Sequence, residues 1–348
     1  MVFGRGNLVS SADKDIVLPN GPEDTISALR WSPLANRLAA ASWDGKTYIY
    51  DTTNTTSTET VKGVAAITVG SPVLDCDFSK DGTIVAGAAA DKKIYLMDLN
   101  TSQTMTLEAH TSPVRAVRFV QVPSANAPII ASGSWDKTVR YWDMRQPQPI
   151  GALQLPERVY SMDASGPLLA AATADNHLHL VDLHGNPLQV FKSVKSPLTH
   201  QTSSISVCAD GSRWAIGGID GRSAAQVVHE KDKSLDNLQF KCHREPHPTK
   251  KSHTDVYAVN AVAYSPAHKD VLATAGSDCT YSVWDVRQRH RIRSFPKAAA
   301  PITALVFSPD GMALAYAVGY DWAKGCQHNT AATERKIVLH KFAEALKK

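Results

Sequence analysis

Residues 129–143 read IIASGSWDKTVRYWD. A short apolar run rich in small side chains enters a polar turn around Asp136. A second run, alternating β-branched or aromatic with polar residues, leaves it and ends on Trp142-Asp143. Period-two alternation on both sides of a tight turn is the signature of a β-hairpin. The hairpin recurs. Residues 271–285 (VLATAGSDCTYSVWD), 38–51 (LAAASWDGKTYIYD) and 85–98 (VAGAAADKKIYLMD) repeat it closely, and 169–182 (LAAATADNHLHLVD) and 215–228 (AIGGIDGRSAAQVV) more loosely. LAYAVGYD at 314–321 opens a seventh copy, which resumes after an insertion as KIVLHKF at 336–342.

The turn aspartates fall at Asp44, Asp91, Asp136, Asp175, Asp220, Asp278 and Asp321. Most intervals match the roughly 40–45 residues of one four-stranded propeller blade. A further strand lies upstream of each turn, for example PVRAVRFV, AVNAVAYS and PITALVFS. The spacing predicts an all-β chain, a seven-bladed WD-repeat β-propeller spanning 14–348 after a short flexible N-terminus, 1–13. The seventh copy has no outer strand after KIVLHKF, whereas KDIVLP at 14–19 precedes the first inner strand and is spare. It is expected to complete the last blade and close the ring, which removes an exposed edge.

Composition agrees with a soluble folded chain: 348 residues, 43% hydrophobic and 20% charged, with a formal net charge of +4. No apolar run approaches the roughly 20 residues of a membrane-spanning helix, and MVFGRGNLVS lacks the apolar core of a secretory signal. The five cysteines are scattered without a CxxC pair, as expected for reduced thiols inside the cell.

Catalysis finds no support. His110, Ser132 and Asp136 contain the residue types of a hydrolytic triad, but no GxSxG elbow accompanies them and the aspartate sits on a blade turn. With Trp142 they are expected to form a buried hydrogen-bonded tetrad. A perturbed acid or base in the central channel would be the sign to look for in a propeller enzyme. Cys242, His243, His247 and His253 match no zinc-finger spacing, so neither a metal nor a cofactor is expected.

Binding is the better expectation. Two insertions, 229–256 and 322–335, break the repeat, and long loops on a rigid scaffold carry function. Arg287, Arg289, His290, Arg291, Arg293 and Lys297 follow Trp284-Asp285 with no acidic residue among them. Arg222 follows the turn pair Asp220-Gly221, and FKCHR (240–244) lies inside the longer insertion. These three features are expected to make one basic face at the fifth to seventh blades.

Several stretches are more specific than a generic repeat: GSWDKTVRYWD (133–143), LQLPERVYSMD (153–163), SPLTHQ (196–201), GGIDGR (217–222), FKCHR (240–244), VYAVNAVAYSP (256–266) and YDWAKG (320–325). From about Asp24 onward the chain resembles the nuclear-pore mRNA export factors among WD-repeat propellers, and less closely their sister family, the mitotic-checkpoint propellers of kinetochores. FKCHR and the IDGR turn are similar to both families, LQLPER and YDWAKG to the export factors. The resemblance implies a non-enzymatic adaptor at the nuclear pore, a monomeric propeller in a heterodimer with a nucleoporin. It implies that Arg222 and Lys241, beside Phe240, meet the glutamates of the nucleoporin's GLEBS segment. It also implies a basic groove for single-stranded RNA at Phe240, Trp284, Arg289 and Arg291, to which Arg287 adds charge. The alternative is a spindle-checkpoint adaptor binding GLEBS segments of kinases.

Overall fold

Seven sheets of four antiparallel strands account for nearly all the regular structure. The computed structural model describes residues 14–34, 37–53, 61–123, 125, 127–229, 237–250 and 252–342. The expected flexible N-terminus, 1–13, lies outside the described residues. Among those described, no helix is long and apolar enough to cross a membrane.

Each hairpin read from the sequence forms the middle two strands of a blade. IIASGSWDKTVRYWD becomes Ile129–Ser134 paired with Thr138–Asp143, flanked by the inner strand Val114–Val120 and the outer strand Gly151–Gln154. The inner strands lie side by side from the first blade to the seventh, and the seventh packs against the first, so the architecture is a closed propeller. Alternation puts apolar residues on both faces of every sheet, because each sheet is sandwiched between two others. The resulting seams are nearly dry: Ile130 and Trp142 of the third blade pack against the second, while Ile129 and Ala131 pack against the fourth.

Inner strands are also stitched together by polar side chains. Asp75 and Asp77 accept the Val117 and Phe119 amides at 3.1 and 2.8 Å, Asp163 accepts Val207 N–H at 2.8 Å, and Ser206 Oγ accepts Tyr264 N–H at 3.1 Å. Each bond runs from one blade to the next.

The seventh blade takes its outer strand from the start of the chain. Lys14–Val17 pairs antiparallel with Lys336–Lys341, from Lys14 opposite Lys341 to Val17 opposite Val338. Leu18 N–H continues the ladder to Ile337 O at 2.9 Å. Ile16 and Leu18 are buried with Ile337 and Leu339, and Asp15 Oδ1 lies 2.6 Å from His340 Nδ1. The spare strand thus closes the ring as its sequence position predicts.

Candidate binding site

The tetrad forms as expected. Trp142 Nε1 donates to Ser132 Oγ at 2.7 Å, and His110 bridges Ser132 Oγ and Asp136 Oδ2 at 2.7 Å each. Because the tryptophan occupies a lone pair of Ser132, the hydroxyl hydrogen is left for His110 Nε2, and Nδ1 carries the proton facing Asp136. Burial works against the charge on Asp136, but the bonds from His110 and Thr138 outweigh it and hold the carboxyl well below the usual carboxylate range. A carboxyl lowered in the folded state stabilises the fold above its unfolded pKa and loses that contribution as pH falls through the folded value. The triad is therefore a structural clamp. His110→Ala is expected to cost about 3 kcal/mol in chemical denaturation at neutral pH; unchanged stability would refute the assignment.

A second tetrad was not legible in the sequence. Trp284 Nε1 donates to Thr274 Oγ1 at 2.9 Å, and His243 lies 3.0 Å from that oxygen and 2.8 Å from Asp278 Oδ1. His243 belongs to FKCHR, and both its ring nitrogens are engaged in holding the sixth blade. Among the described residues no cluster of three metal-ligating side chains occurs.

The central cavity, about 260 Å³, does contain perturbed acids. Burial raises the carboxyls of Asp75 and Asp163 above the ordinary range. Both are nevertheless committed: Arg118 contacts Asp75 at 2.5 Å and Asp163 at 2.9 Å, and Arg30 reaches Asp163 at 3.2 Å. They also accept the inter-blade amides described above, and Asp75 Oδ1 accepts Cys76 N–H at 3.0 Å. Nearby hydroxyls are spent in the same way, as Ser27 donates to Val73 O at 2.6 Å. The arrangement fastens one blade to the next.

The basic residues divide between two ends of the molecule, which corrects the single face expected. Phe240 and Lys241 of FKCHR are not inside a loop. Leu238–Lys241 is the outer strand of the fifth blade, and the segment beyond it, with the small hairpin Arg244–Pro246 and Thr254–Val256, is inserted. Strand direction alternates within a blade, so the start of the third strand and the end of the fourth share one end. Arg222 opens the third strand and Lys241 closes the fourth, and they are direct cross-strand partners. Such partners project to the same side of a sheet. Ala224, on that side, packs toward the fourth blade, and Gln239 bonds Pro197 O there. Lys241 is exposed and the Arg222 side chain is 38% exposed.

In the sixth blade the third strand, Tyr281–Asp285, ends where the arginines begin, and the fourth is His290–Ser294. Arg287 and Arg289 therefore occupy the turn at the opposite end. Asp285 shapes that turn by accepting the Arg287 and Gln288 amides at 2.9 and 2.7 Å, and Arg289 takes φ +58°. Arg291 pairs with Trp284 across the strands, its guanidinium 5.8 Å from the indole. Arg287 is exposed, while Arg289 and Arg291 are half-buried. Lys297 is turned away to Glu245, 2.7 Å distant.

Phe240 and Trp284 do not offer their rings at the surface. They are 2% and 3% exposed, with centroids 4.6 Å apart, in the seam between the fifth and sixth blades beside Val286. Alternation along Leu238–Lys241 explains this, since Phe240 points into the seam and Lys241 away from it. Trp284 donates to the tetrad and lies beneath Arg291, and Phe240 packs against the indole.

Comparison with known proteins agrees with this architecture. The WD domain, G-beta repeat, matches residues 14–51, 65–98, 101–143 and 244–285. The chain is 45% identical over 341 residues to the WD40 repeat protein poxJ of Penicillium oxalicum, covering 98% of this chain and 96% of that one. It is 41% identical over 334 residues to the Poly(A)+ RNA export protein of Schizosaccharomyces pombe, covering 96% and 92%. It is 40% identical over 330 residues to the mRNA export factor GLE2 of Chaetomium thermophilum, covering 94% and 90%. With its closed ring of seven repeats and this full-length similarity, the chain belongs to the mRNA export factor family of WD-repeat propellers.

Proposed function

We propose that this chain is a non-enzymatic adaptor in nuclear export of poly(A) mRNA, working at the nuclear pore. It docks on the GLEBS segment of a nucleoporin through Arg222 and Lys241 and binds single-stranded RNA through Arg287, Arg289 and Arg291. The observation that carries this reading is the cross-strand pairing of Arg222 with Lys241, two solvent-facing cations side by side at one end of the fifth blade. Such a pair suits two carboxylates on one short segment, and an arginine accepts a carboxylate with a two-pronged fork. Full-length relatives named for export support this reading over the kinetochore alternative. A pull-down with a nucleoporin GLEBS segment tests it, using the same segment with its glutamates changed to glutamine as the control. Equal capture of both forms would refute the assignment.

The arginines at the other end read a different chemistry. Three phosphate contacts to a single strand weaken binding about twentyfold between about 50 and about 200 mM salt, with little sequence preference. Fluorescence anisotropy with a short poly(A) oligonucleotide measures this; an affinity flat across that range would remove RNA from the proposal. Because the two clusters occupy opposite ends, the GLEBS segment and RNA are expected to bind without competing.

A further inference from the structure

We infer that Asp220 is a positioning residue that aims Arg222 at the carboxylate of an acidic partner, an inference that rests on the docking role proposed for Arg222. In the third and sixth blades the aspartate of the equivalent turn, Asp136 or Asp278, is consumed by a buried histidine. The fifth blade lacks that arrangement. The positions of the hydroxyl and tryptophan are taken by Ile216 and Gln226, and the nearby His200 is 62% exposed, with Nδ1 3.5 Å from Asp220 Oδ2. Released from tetrad work, Asp220 Oδ2 lies 3.2 Å from Arg222 Nε.

The rest of the turn is fixed around that contact. Arg244 Nη2 donates to Asp220 O at 2.7 Å and its Nε to Gly221 O at 3.2 Å. Gly221 adopts φ +62°, and a Cβ there would meet Val256 Cγ1 at 2.9 Å and the Cys242 and Tyr257 carbonyls at 3.0 Å. Gly218 makes room for the carboxylate, since a Cβ on it would stand 2.8 Å from Asp220 Oδ1. The Asp220 side chain is only 13% exposed, so it is held inside while Arg222 reaches out.

The consequence for recognition follows from guanidinium geometry. With Asp220 Oδ2 lying against the Nε side of the guanidinium, the two terminal nitrogens form the edge left for a partner, and that edge matches a carboxylate bidentately. No other carboxylate among the described residues pairs with Arg222. Asp220 itself repels an acidic partner, so charge and positioning predict opposite signs for its neutralisation. That opposition makes the test decisive.

The probe is a synthetic peptide carrying paired glutamates on a GLEBS-like segment, titrated by calorimetry into the full chain. Asp220→Asn is expected to weaken binding about tenfold while leaving the melting temperature close to that of the parent. In an Arg222→Ala background the same change is expected to have no weakening effect, a coupling that general loosening of the turn would not produce. Gly218→Ala, which keeps the charge but displaces the carboxylate, is expected to weaken binding as well. Equal or tighter binding by Asp220→Asn, with the parent binding normally, would overturn the positioning role alone. Failure of the parent to bind, or equal binding of the glutamine-substituted peptide, would overturn the docking reading and this inference with it.

Discussion

Reversing both charges in the variant Arg222→Glu/Lys241→Glu is expected to abolish binding of the GLEBS segment while the ring stays folded. The two side chains sit opposite each other across neighbouring strands, so two partner carboxylates meet two cations in one place. Reversal replaces each attraction by a repulsion and leaves partner carboxylates partly desolvated against like charge. Losing such contacts costs at least about 3 kcal/mol, more than a hundredfold in Kd. The fold does not depend on them, because Lys241 is exposed and Arg222 reaches into solvent from its contact with Asp220, so such a partly exposed pair is worth little to stability. Single reversals are expected to give intermediate losses, and the salt dependence of binding should shrink with each cation removed. Calorimetry that returned the parent's affinity for the double variant would sink the docking assignment.

Removal of residues 1–20 is the other change with a large expected effect, this time on stability. It takes away the strand Lys14–Val17 and with it the buried side chains Ile16 and Leu18. Burial of two such residues is worth about 3–6 kcal/mol. The hydrogen bonds to Lys336–Lys341 disappear as well, and that strand becomes an open edge. Ile337 and Leu339, now fully buried, lose the cover on one side. A fall in melting temperature on the order of 10 °C is expected, accompanied by aggregation through the bared edge. An unchanged melting temperature would mean that the ring does not depend on its N-terminal strand.

What could be read from the sequence followed the strength of local signals. The hairpin IIASGSWDKTVRYWD shows its turn, its alternation and its Trp-Asp close within fifteen residues, so the third blade and its tetrad were legible down to single side chains. Closure was legible because the seventh copy lacks a strand and the N-terminus has one to spare. The second tetrad was not, because His243 stands 35 residues before Asp278 with an inserted hairpin between them. FKCHR looked like part of a loop since Leu238–Lys241 is only four residues long. Its period-two pattern was nevertheless visible, and it would have shown that Phe240 and Lys241 face opposite sides. The separation of Arg222 from Arg289 was beyond a linear reading. Both lie at a turn, but Arg222 follows the turn that precedes the third strand and Arg289 sits in the one that comes after it, and that difference decides which end of the blade each occupies.

The borrowed outer strand also sets the order in which the molecule is completed as it is synthesised. Lys14–Val17 leaves the ribosome before the other strands of all seven blades, and its partner Lys336–Lys341 leaves after those of the first six. At bacterial to eukaryotic elongation rates the interval is on the order of tens of seconds. Throughout that time six blades can stack while Ile16 and Leu18 have no seam to enter. Closure of the ring waits for Lys336–Lys341, so a ribosome that stops short of that strand releases an open ring with a sticky rim.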